Sequence, residues 1–219
     1  MFSFAYGEFY HAYNRGTDKR VIFQDTADYR RFVELLFLSN SVFAVDIRYV
    51  RKFNDSIYDF DRGDPLVYIG AYCLMPNHFH ILLTPVVEGG VQIFMQKLST
   101  GYSMYFNKRY ERKGALFESR FKARHANSDE YLKYLFSYIH LNPVKLIQPD
   151  WKESGIRDIE RVKQYLDTYE FSSLKDYFGH RIQSDIIEST KFPEYFSSKQ
   201  QVDAELLNWL AYAELVDVK

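Results

Sequence analysis

Two apolar runs separated by a short turn are the clearest feature of the hydrophobic pattern. Leu66–Leu74 and His78–Thr84 are continuous stretches of mostly aliphatic and aromatic residues, and Met75-Pro-Asn77 lies between them. Apolar runs of this length bounded by Pro and Asn are typical of β-strands joined by a turn. We therefore predict two strands that pair antiparallel.

Strands and helices alternate along the first 145 or so residues. Further strands are predicted at Phe9–Asn14, Val42–Arg51 and Gly114–Ala126. Apolar residues at helical spacing predict three helices, which begin at Asp25-Thr26, at Gly89-Gly90 and at Ser128, the last ending at Asn142-Pro143. This order favours an α+β fold built on an antiparallel sheet.

The chain becomes acidic and helical after Pro149. Helix candidates there are Ile159–Leu166, Ser172–Phe178 and Val202–Leu215. We assign residues 1–148 to the main domain and residues 149–219 to a helical extension, for which docking on that domain or dimerisation is the default interpretation.

Composition indicates a soluble, folded protein. Hydrophobic residues make up 47 % of the chain, and Cys73 is its single cysteine. No disulfide framework is possible, and no apolar run approaches membrane-spanning length. We expect a cytoplasmic protein with no membrane partner.

A basic, aromatic-rich segment suggests a nucleic-acid contact. Eight basic residues against two acidic ones lie between Lys97 and His125, although the whole chain has a net charge of −1. Such a segment suits phosphate contact and base stacking, while the alternative is an ordinary solvated surface. The basic residues are Lys97, Lys108, Arg109, Arg112, Lys113, Arg120, Lys122 and Arg124.

The histidine pair in His78-Phe79-His80 carries the strongest chemical signal. Residues two apart on a strand share a face and lie about 6.5–7 Å apart. Two imidazoles so placed suit one divalent cation, with Phe79 on the opposite, packed face. The alternative is that both histidines only fill space or form hydrogen bonds.

Tyr138 and Asn142 are one helical turn apart and so share a helix face. If that face points towards His78 and His80, the Asn142 amide oxygen would complete a metal site and the Tyr138 phenol would lie beside it. A phenol, with a pKa near 10, is a poor nucleophile without a strongly polarised electrophile. The alternative is that Tyr138 is a core residue.

The other histidines are interpreted as structural. His11 and Asn14 fall on opposite faces of the first strand and so do not form a shared site. His140 faces away from Tyr138 around the helix, and His125 is interpreted as a surface residue.

Both motifs resemble those of one transposase family. Leu74-Met-Pro-Asn-His-Phe-His-Ile-Leu-Leu-Thr-Pro85 resembles the His-hydrophobe-His (HUH) segment of the single-tyrosine transposases, and Tyr138-Ile-His-Leu-Asn-Pro-Val144 resembles their catalytic-helix motif. Tyr13-Asn-Arg-Gly16, Leu116-Phe-Glu-Ser-Arg-Phe-Lys122 and Phe171-Ser-Ser173 agree with the REP-associated tyrosine transposases, relatives of insertion-sequence transposases. The resemblance covers roughly residues 8–180.

The resemblance implies a ferredoxin-like sheet and a full reaction. His78, His80 and Asn142 would hold Mg²⁺ or Mn²⁺, although two imidazoles alone would suggest zinc. Tyr138 would attack single-stranded DNA beside a hairpin, forming a 5′-phosphotyrosine bond. Arg15 and Arg20 would contact DNA together with the basic segment. The protein would be associated with the bacterial nucleoid.

Two alternatives stay open at this point. One is a hairpin-binding regulator that has lost catalysis, and the other is a zinc-dependent hydrolase in which Tyr138 is dispensable. A homodimer is also left open by the sequence.

Overall fold

A computed structural model describes residues 3–178, 186–195, 201 and 204–205. Its centre is a four-stranded antiparallel sheet in the order β2-β3-β1-β4. The strands are β1 (Tyr10–Arg15), β2 (Val67–Met75), β3 (His78–Pro85) and β4 (Lys122–His125). The α-helices of this part of the chain are α1 (Thr26–Leu38), α2 (Ile47–Phe53), α3 (Gly90–Arg109), α4 (Asp129–Leu141), α5 (Trp151–Ser154) and α6 (Ile159–Thr168).

The order of the elements confirms the predicted α+β, ferredoxin-like fold. A connection that contains α1 and α2 leads from β1 to β2, a tight turn joins β2 to β3, and α3 leads from β3 to β4. This is the β-α-β-β-α-β arrangement, with β1 and β3 at the centre of the sheet. The two central strands are therefore flanked on both sides and cannot shift register without breaking two ladders.

Helices cover both faces of the sheet. Phe79 and Ile81 of β3 point into the larger core, which also contains residues of α1 and α3 such as Phe32 and Phe94. Leu82, which is next along the strand, belongs to a second core beneath α4. The strict alternation of β3 therefore sends Phe79 to one layer and its histidine neighbours to the other, as predicted.

The turn that precedes His78 is fixed from outside the hairpin. The Pro76 carbonyl accepts hydrogen bonds from the backbone N–H groups of Ile22 (2.8 Å) and Phe23 (3.1 Å), and the Asn77 carbonyl accepts one from Gly16 (2.8 Å). A Cβ atom on Gly16 would lie 2.5 Å from the Arg20 carbonyl oxygen, so a larger residue there would displace this clamp. The start of β3 is thereby held in one place.

The helix α4 begins and ends as the sequence predicts. The Ser128 hydroxyl accepts a hydrogen bond from the Tyr131 N–H (3.1 Å), which caps the first turn. Leu132, Leu135 and Ile139 bury one side of the helix against the sheet. The chain then continues as a 3₁₀ turn over Asn142–Leu146, in which Pro143 occupies an early position.

The described part of the C-terminal region covers the β2 edge. The Leu74 N–H donates to the Phe171 carbonyl (2.8 Å), and the Tyr72 N–H donates to the Ser173 hydroxyl (2.8 Å). The Tyr169 hydroxyl also donates to the Leu74 carbonyl (2.5 Å). These bonds satisfy backbone groups that an open sheet edge would expose. The domain boundary at residue 148 stays a prediction.

The prediction of a strand over Val42–Arg51 was wrong. This segment contains the start of α2, where the Asp46 carboxylate accepts a hydrogen bond from the Arg48 N–H (2.9 Å) and caps the helix. Among the residues of α2 only Val50 is buried. Its β-branched residues suggested a strand, but a local capping bond and one buried anchor favour a helix.

Two further differences concern extent. Within the predicted strand over Gly114–Ala126, Lys122–His125 forms β4 and Phe117 forms an isolated bridge with Gly16. The predicted helix over Ser172–Phe178 is a 3₁₀ turn over Ser173–Phe178. The predicted helix over Val202–Leu215 lies almost entirely outside the described residues. Within the described ranges, no helix is both long and apolar enough to cross a membrane.

Candidate metal and nucleophile site

His78 and His80 lie on the α4 face of the sheet. Their ring centroids are 5.0 Å apart, and the two rings are nearly perpendicular. His78 is half-buried at the start of β3, and His80 is buried one step further along. The structure therefore places the two imidazoles side by side on the face that the strand alternation predicts.

A neighbouring side chain orients each imidazole. His78 Nδ1 lies 2.6 Å from Asn77 Oδ1, and the Asn77 amide nitrogen donates to the Lys19 carbonyl (3.1 Å). That second bond fixes which end of the Asn77 amide faces His78, so His78 Nδ1 carries the proton and Nε2 keeps its lone pair. Such outer partners set the tautomer of metal-binding histidines.

His11 has the corresponding position beside His80. His11 Nε2 lies 2.8 Å from His80 Nδ1, and both rings are buried. His80 Nε2 is also buried and has no hydrogen-bond partner among the described residues. If His80 donates a hydrogen bond from Nδ1 to His11, its Nε2 carries no proton. The lone pair of Nε2 is then available to bind a cation.

Burial keeps these histidines neutral. It lowers the pKa of His78 to about 4, with smaller contributions from Lys145 and Arg15. The pKa of His80 lies well below its usual value, first because of burial and then because of its cationic and imidazole neighbours. Burial and then Arg124 lower the pKa of His11 to about 4. At neutral pH all three rings therefore offer lone pairs.

Tyr138 and Asn142 face this histidine cluster from α4. The Tyr138 ring meets the His80 ring edge to face, with centroids 5.5 Å apart. The Asn142 amide nitrogen donates to the Tyr138 carbonyl (2.8 Å), which leaves the buried Asn142 Oδ1 without a hydrogen-bond partner among the described residues. The predicted helix face thus does point at the histidines.

The Tyr138 phenol is protonated at neutral pH. Burial raises its pKa above the usual value, and the Asn142 amide acts in the opposite direction. Lys152 Nζ lies 4.8 Å from the centre of the Tyr138 ring. The phenol therefore needs activation before it can act as a nucleophile.

The donor set fits a divalent cation. Two buried acceptor atoms, His80 Nε2 and Asn142 Oδ1, have no hydrogen-bond partner among the described residues, and the contact of His78 Nδ1 with Asn77 leaves His78 Nε2 available. Imidazole nitrogen and amide oxygen are both ordinary metal ligands. In the described part of the chain, no group of three or more His, Cys, Asp or Glu residues is arranged to hold a metal ion. Asn142, whose buried Oδ1 has no partner among the described residues, is the candidate for a further protein ligand.

Three of the residues around the site were missed in the sequence. His11 lies on the face of β1 opposite to Asn14, and no pattern within β1 points to a histidine on another strand. Lys145 and Lys152 follow the predicted helix in a turn and a short helix whose direction the sequence does not specify. The spacing of residues within each of these segments does not predict that His11, Lys145 or Lys152 lies near the site.

The predicted basic surface is divided between the two layers. Lys97 donates to the carbonyls of Ser41 (2.6 Å) and Phe43 (2.5 Å). Arg109 forms ion pairs with Asp25 and with the buried carboxylate of Asp28. Both cations are therefore engaged on the face of the sheet opposite the histidines.

Other basic residues of the prediction lie nearer the site. Arg15 and Lys122 line an open pocket that includes His78, and Arg124 contacts the Tyr131 hydroxyl at 3.4 Å. Arg20 donates to the Thr17 carbonyl (2.9 Å). Of the rest, Lys108, Lys113 and Arg120 are exposed, and Arg112 lies over the Phe106 ring. DNA contact by these residues stays a prediction.

The fold and the site together define an α+β protein in which an antiparallel sheet presents two neutral imidazoles to a tyrosine on the covering helix. This combination is a candidate metal site next to a candidate nucleophile. Residues 57–142 match the family model described as "Transposase IS200 like". This range includes both histidines, Tyr138 and Asn142. The segment that carries the site is therefore similar to the IS200-like transposases, in agreement with the resemblance over these residues.

A solved structure is also similar to the chain. It is that of a REP-associated tyrosine transposase bound to a REP hairpin, with 12 % identity, a TM-score of 0.49, and coverage of 91 % of this chain and 90 % of that one. The comparison with curated proteins gave no match.

Proposed function

We propose that this protein is a metal-dependent transposase that cleaves and rejoins single-stranded DNA through Tyr138. The observation that carries the proposal is that His80 of β3, with His78 beside it, meets the Tyr138 ring from the last turn of α4. Asn142 begins the 3₁₀ turn that follows α4. The family match over residues 57–142 supports a transposase role for this arrangement.

His78, His80 and Asn142 would hold Mg²⁺ or Mn²⁺, with water and phosphate oxygens completing the coordination. Bound there, the cation would draw charge from the non-bridging oxygens of a phosphodiester and make the phosphorus more electrophilic. The protein supplies neutral imidazoles whose Nδ1 atoms are held by Asn77 and His11. It also supplies a site that is largely shielded from water, in which such interactions are strong.

Tyr138 would form the covalent bond. Its phenol oxygen bonds to phosphorus, and the bond from phosphorus to the 3′ oxygen of the preceding nucleotide breaks. The phenol loses its proton and the departing 3′ oxygen gains one, so that a 5′-phosphotyrosine and a free 3′-hydroxyl result. Attack by a 3′-hydroxyl on the phosphotyrosine reverses these steps and rejoins a strand.

The substrate would be single-stranded DNA next to a hairpin. Arg15, Lys122 and Arg124 lie on strands β1 and β4, beside the histidine face of β3. Cations along this face would neutralise phosphates of a bound strand. The hairpin in the similar solved structure supplies the type of probe with which this substrate can be tested.

The test is the formation of a covalent adduct. The full chain is incubated with Mn²⁺ and a labelled pool of DNA hairpins carrying randomised single-stranded flanks, and adducts that resist SDS are separated on a gel. We expect an adduct with the wild type and with Tyr134→Phe, but none with Tyr138→Phe or with EDTA. Tyr134 is the matched control because its ring stacks on Tyr138 from one helical turn away.

Other outcomes identify the alternatives. Cleavage by both the wild type and Tyr138→Phe without an adduct would indicate a metal-dependent hydrolase. Hairpin binding without cleavage across the whole pool would indicate a regulator on the same fold. Either result contradicts the proposed role of Tyr138.

A further inference from the structure

A pocket opens beside the candidate metal site. Its volume is about 390 Å³, and His78 forms part of its wall. The other lining residues come from β1, from the turn before β3, from the segment that leads into β4, and from the turn after α4: Tyr13, Asn14, Arg15, Asn77, Glu118, Lys122 and Lys145. Four separate parts of the chain therefore meet around one cavity next to His78.

Lys145 is placed at this pocket by the 3₁₀ turn. Side chains three residues apart in a 3₁₀ helix are nearly eclipsed, so Lys145 lies on the same edge of the turn as Asn142. It therefore connects the end of the candidate metal site with the pocket wall.

The Lys145 ammonium group has no counterion in the described structure. It is half-buried, and among the described residues no carboxylate lies within 4.0 Å and no hydrogen bond is formed. Burial lowers its pKa, while Glu153 acts weakly in the opposite direction. A partly desolvated cation without a partner is costly, and an anionic ligand would offset that cost.

Lys122 and Arg15 add positive charge to the same cavity. Lys122 is exposed on β4 and pairs with Tyr13 of β1. Arg15 is opposite His78 in the sheet, and its guanidinium forms two hydrogen bonds with Glu118 (2.8 and 3.1 Å). The Arg15–Glu118 pair is balanced, so the net charge of the pocket comes from the two lysines.

The two amides in the pocket wall are already engaged. Asn14 donates to the Ser119 carbonyl (3.0 Å) and accepts from the Arg15 N–H (2.9 Å). Asn77 is held between Lys19 and His78. Free amides are typical of base recognition, whereas lysines contact phosphates without regard to sequence. The free groups of this pocket thus suit a backbone phosphate and not a base.

We propose that this pocket is a phosphate subsite, in which Lys145 and Lys122 bind a backbone phosphate of the single strand next to the phosphate that Tyr138 attacks. The inference rests on the proposed function, because it takes single-stranded DNA as the ligand. It adds a binding role for Lys145 that is independent of base sequence and of the metal ion.

The test measures DNA binding without cleavage. The full chain carrying Tyr138→Phe binds a fluorescent single strand in EDTA at several salt concentrations, with and without Lys145→Met. We expect Lys145→Met to weaken binding several-fold for every sequence and to reduce the salt slope by about 0.7, the value for one phosphate contact on a single strand. Lys145→Arg should retain most of the affinity, and Lys52→Met, at an exposed site on α2, should bind like the parent.

A stability measurement separates binding from folding. Because Lys145→Met removes an unpaired, half-buried charge, its urea midpoint should equal or exceed that of the parent while its DNA affinity falls. A structural role would lower both. The proposal is overturned if Lys145→Met leaves the affinity and the salt slope unchanged, or if the loss of affinity follows a loss of stability.

A second readout locates the phosphate. Replacing single phosphates of the strand by neutral methylphosphonates should weaken binding at one position in the parent and have no effect at that position in Lys145→Met. Equal sensitivity of both proteins at every position would overturn the proposal. These assays need no covalent chemistry. If Lys145→Met weakens binding as expected but no Tyr138 adduct forms, only the proposed reaction is rejected. If the adduct forms but Lys145→Met has no effect on binding, only the subsite is rejected.

Discussion

His11 is expected to control the metal affinity of the site through His80, without being a ligand itself. The substitution His11→Phe keeps an aromatic ring in a buried position that is 6 % exposed. It removes the nitrogen that lies 2.8 Å from His80 Nδ1. His80 would then lack the bond that fixes its tautomer and ring orientation.

The size of the effect follows from the lost bond. Outer partners of metal-binding histidines typically contribute about 10–100-fold in metal affinity. A buried polar atom left without its partner also costs about 1–3 kcal/mol in the free energy of unfolding. For a chain of this length, each kcal/mol corresponds to a change of about 2–4 °C in Tm. His11→Phe should therefore weaken Mn²⁺ binding about 10–100-fold and lower Tm by several degrees.

The assay is titration of the full chain with Mn²⁺ in the absence of DNA, followed by calorimetry or by the electron paramagnetic resonance signal of free Mn²⁺. His11→Gln, whose amide oxygen can accept from His80, should lose less affinity than His11→Phe. His125→Phe is the matched control, because His125 stacks on Tyr10 on the other face of the sheet. Unchanged Mn²⁺ affinity in His11→Phe, with the expected loss of stability, would refute the orienting role and leave His11 as a packing residue.

Three further predictions concern stability and DNA binding. Burial lowers the pKa of His140 to about 3, so the unfolded chain binds more protons from about pH 6.5 downwards, and this group removes about 1.4 kcal/mol of stability per pH unit until about pH 3. His140→Met should flatten the pH dependence of urea unfolding between pH 6 and 4, whereas an unchanged slope would contradict the assignment. Arg109→Leu should lower the urea midpoint, because Asp28 loses its ion pair, but leave the salt slope of DNA binding unchanged. Arg124→Leu should reduce that slope by about 0.7 with little loss of stability.

The parts of the site that lie on single elements could be predicted from the sequence. The alternation of β3 places His78 and His80 together, and one helical turn places Tyr138 with Asn142. Both patterns depend only on the local backbone geometry, which a short segment specifies. The packing of α4 against β3 brings together segments that are distant in the sequence. It was implied by the resemblance to the transposase family, and residue spacing alone does not predict it.

The residues that the sequence did not reveal depend on pairing between distant segments. His11 reaches His80 because β1 is placed next to β3 in a register that sets His11 opposite Leu82, one step diagonal to His80. That register depends on the packing of both sheet faces, and no spacing within β1 contains it. In the same way, a count of charges cannot show that Lys97 is bound to two carbonyl groups, whereas the Lys122 side chain is exposed and forms no hydrogen bond with any residue that the structure describes.

The polar atoms of the site are not fully satisfied without a ligand, and this links its chemistry to stability. His80 Nε2 and Asn142 Oδ1 are both buried acceptors without partners in the described structure, and each such atom costs about 1–3 kcal/mol. A ligand that binds only the folded chain offsets that cost by mass action, with about 2.7 kcal/mol at a concentration of 100 times its Kd. The backbone hydrogen bonds that hold the Met75–His78 turn, and the contact between His11 and His80, keep the histidines in place despite this cost. Binding of a cation at the site should therefore make the contact between β3 and α4 more rigid. Tyr138 would then be ordered when a polarised phosphodiester reaches it.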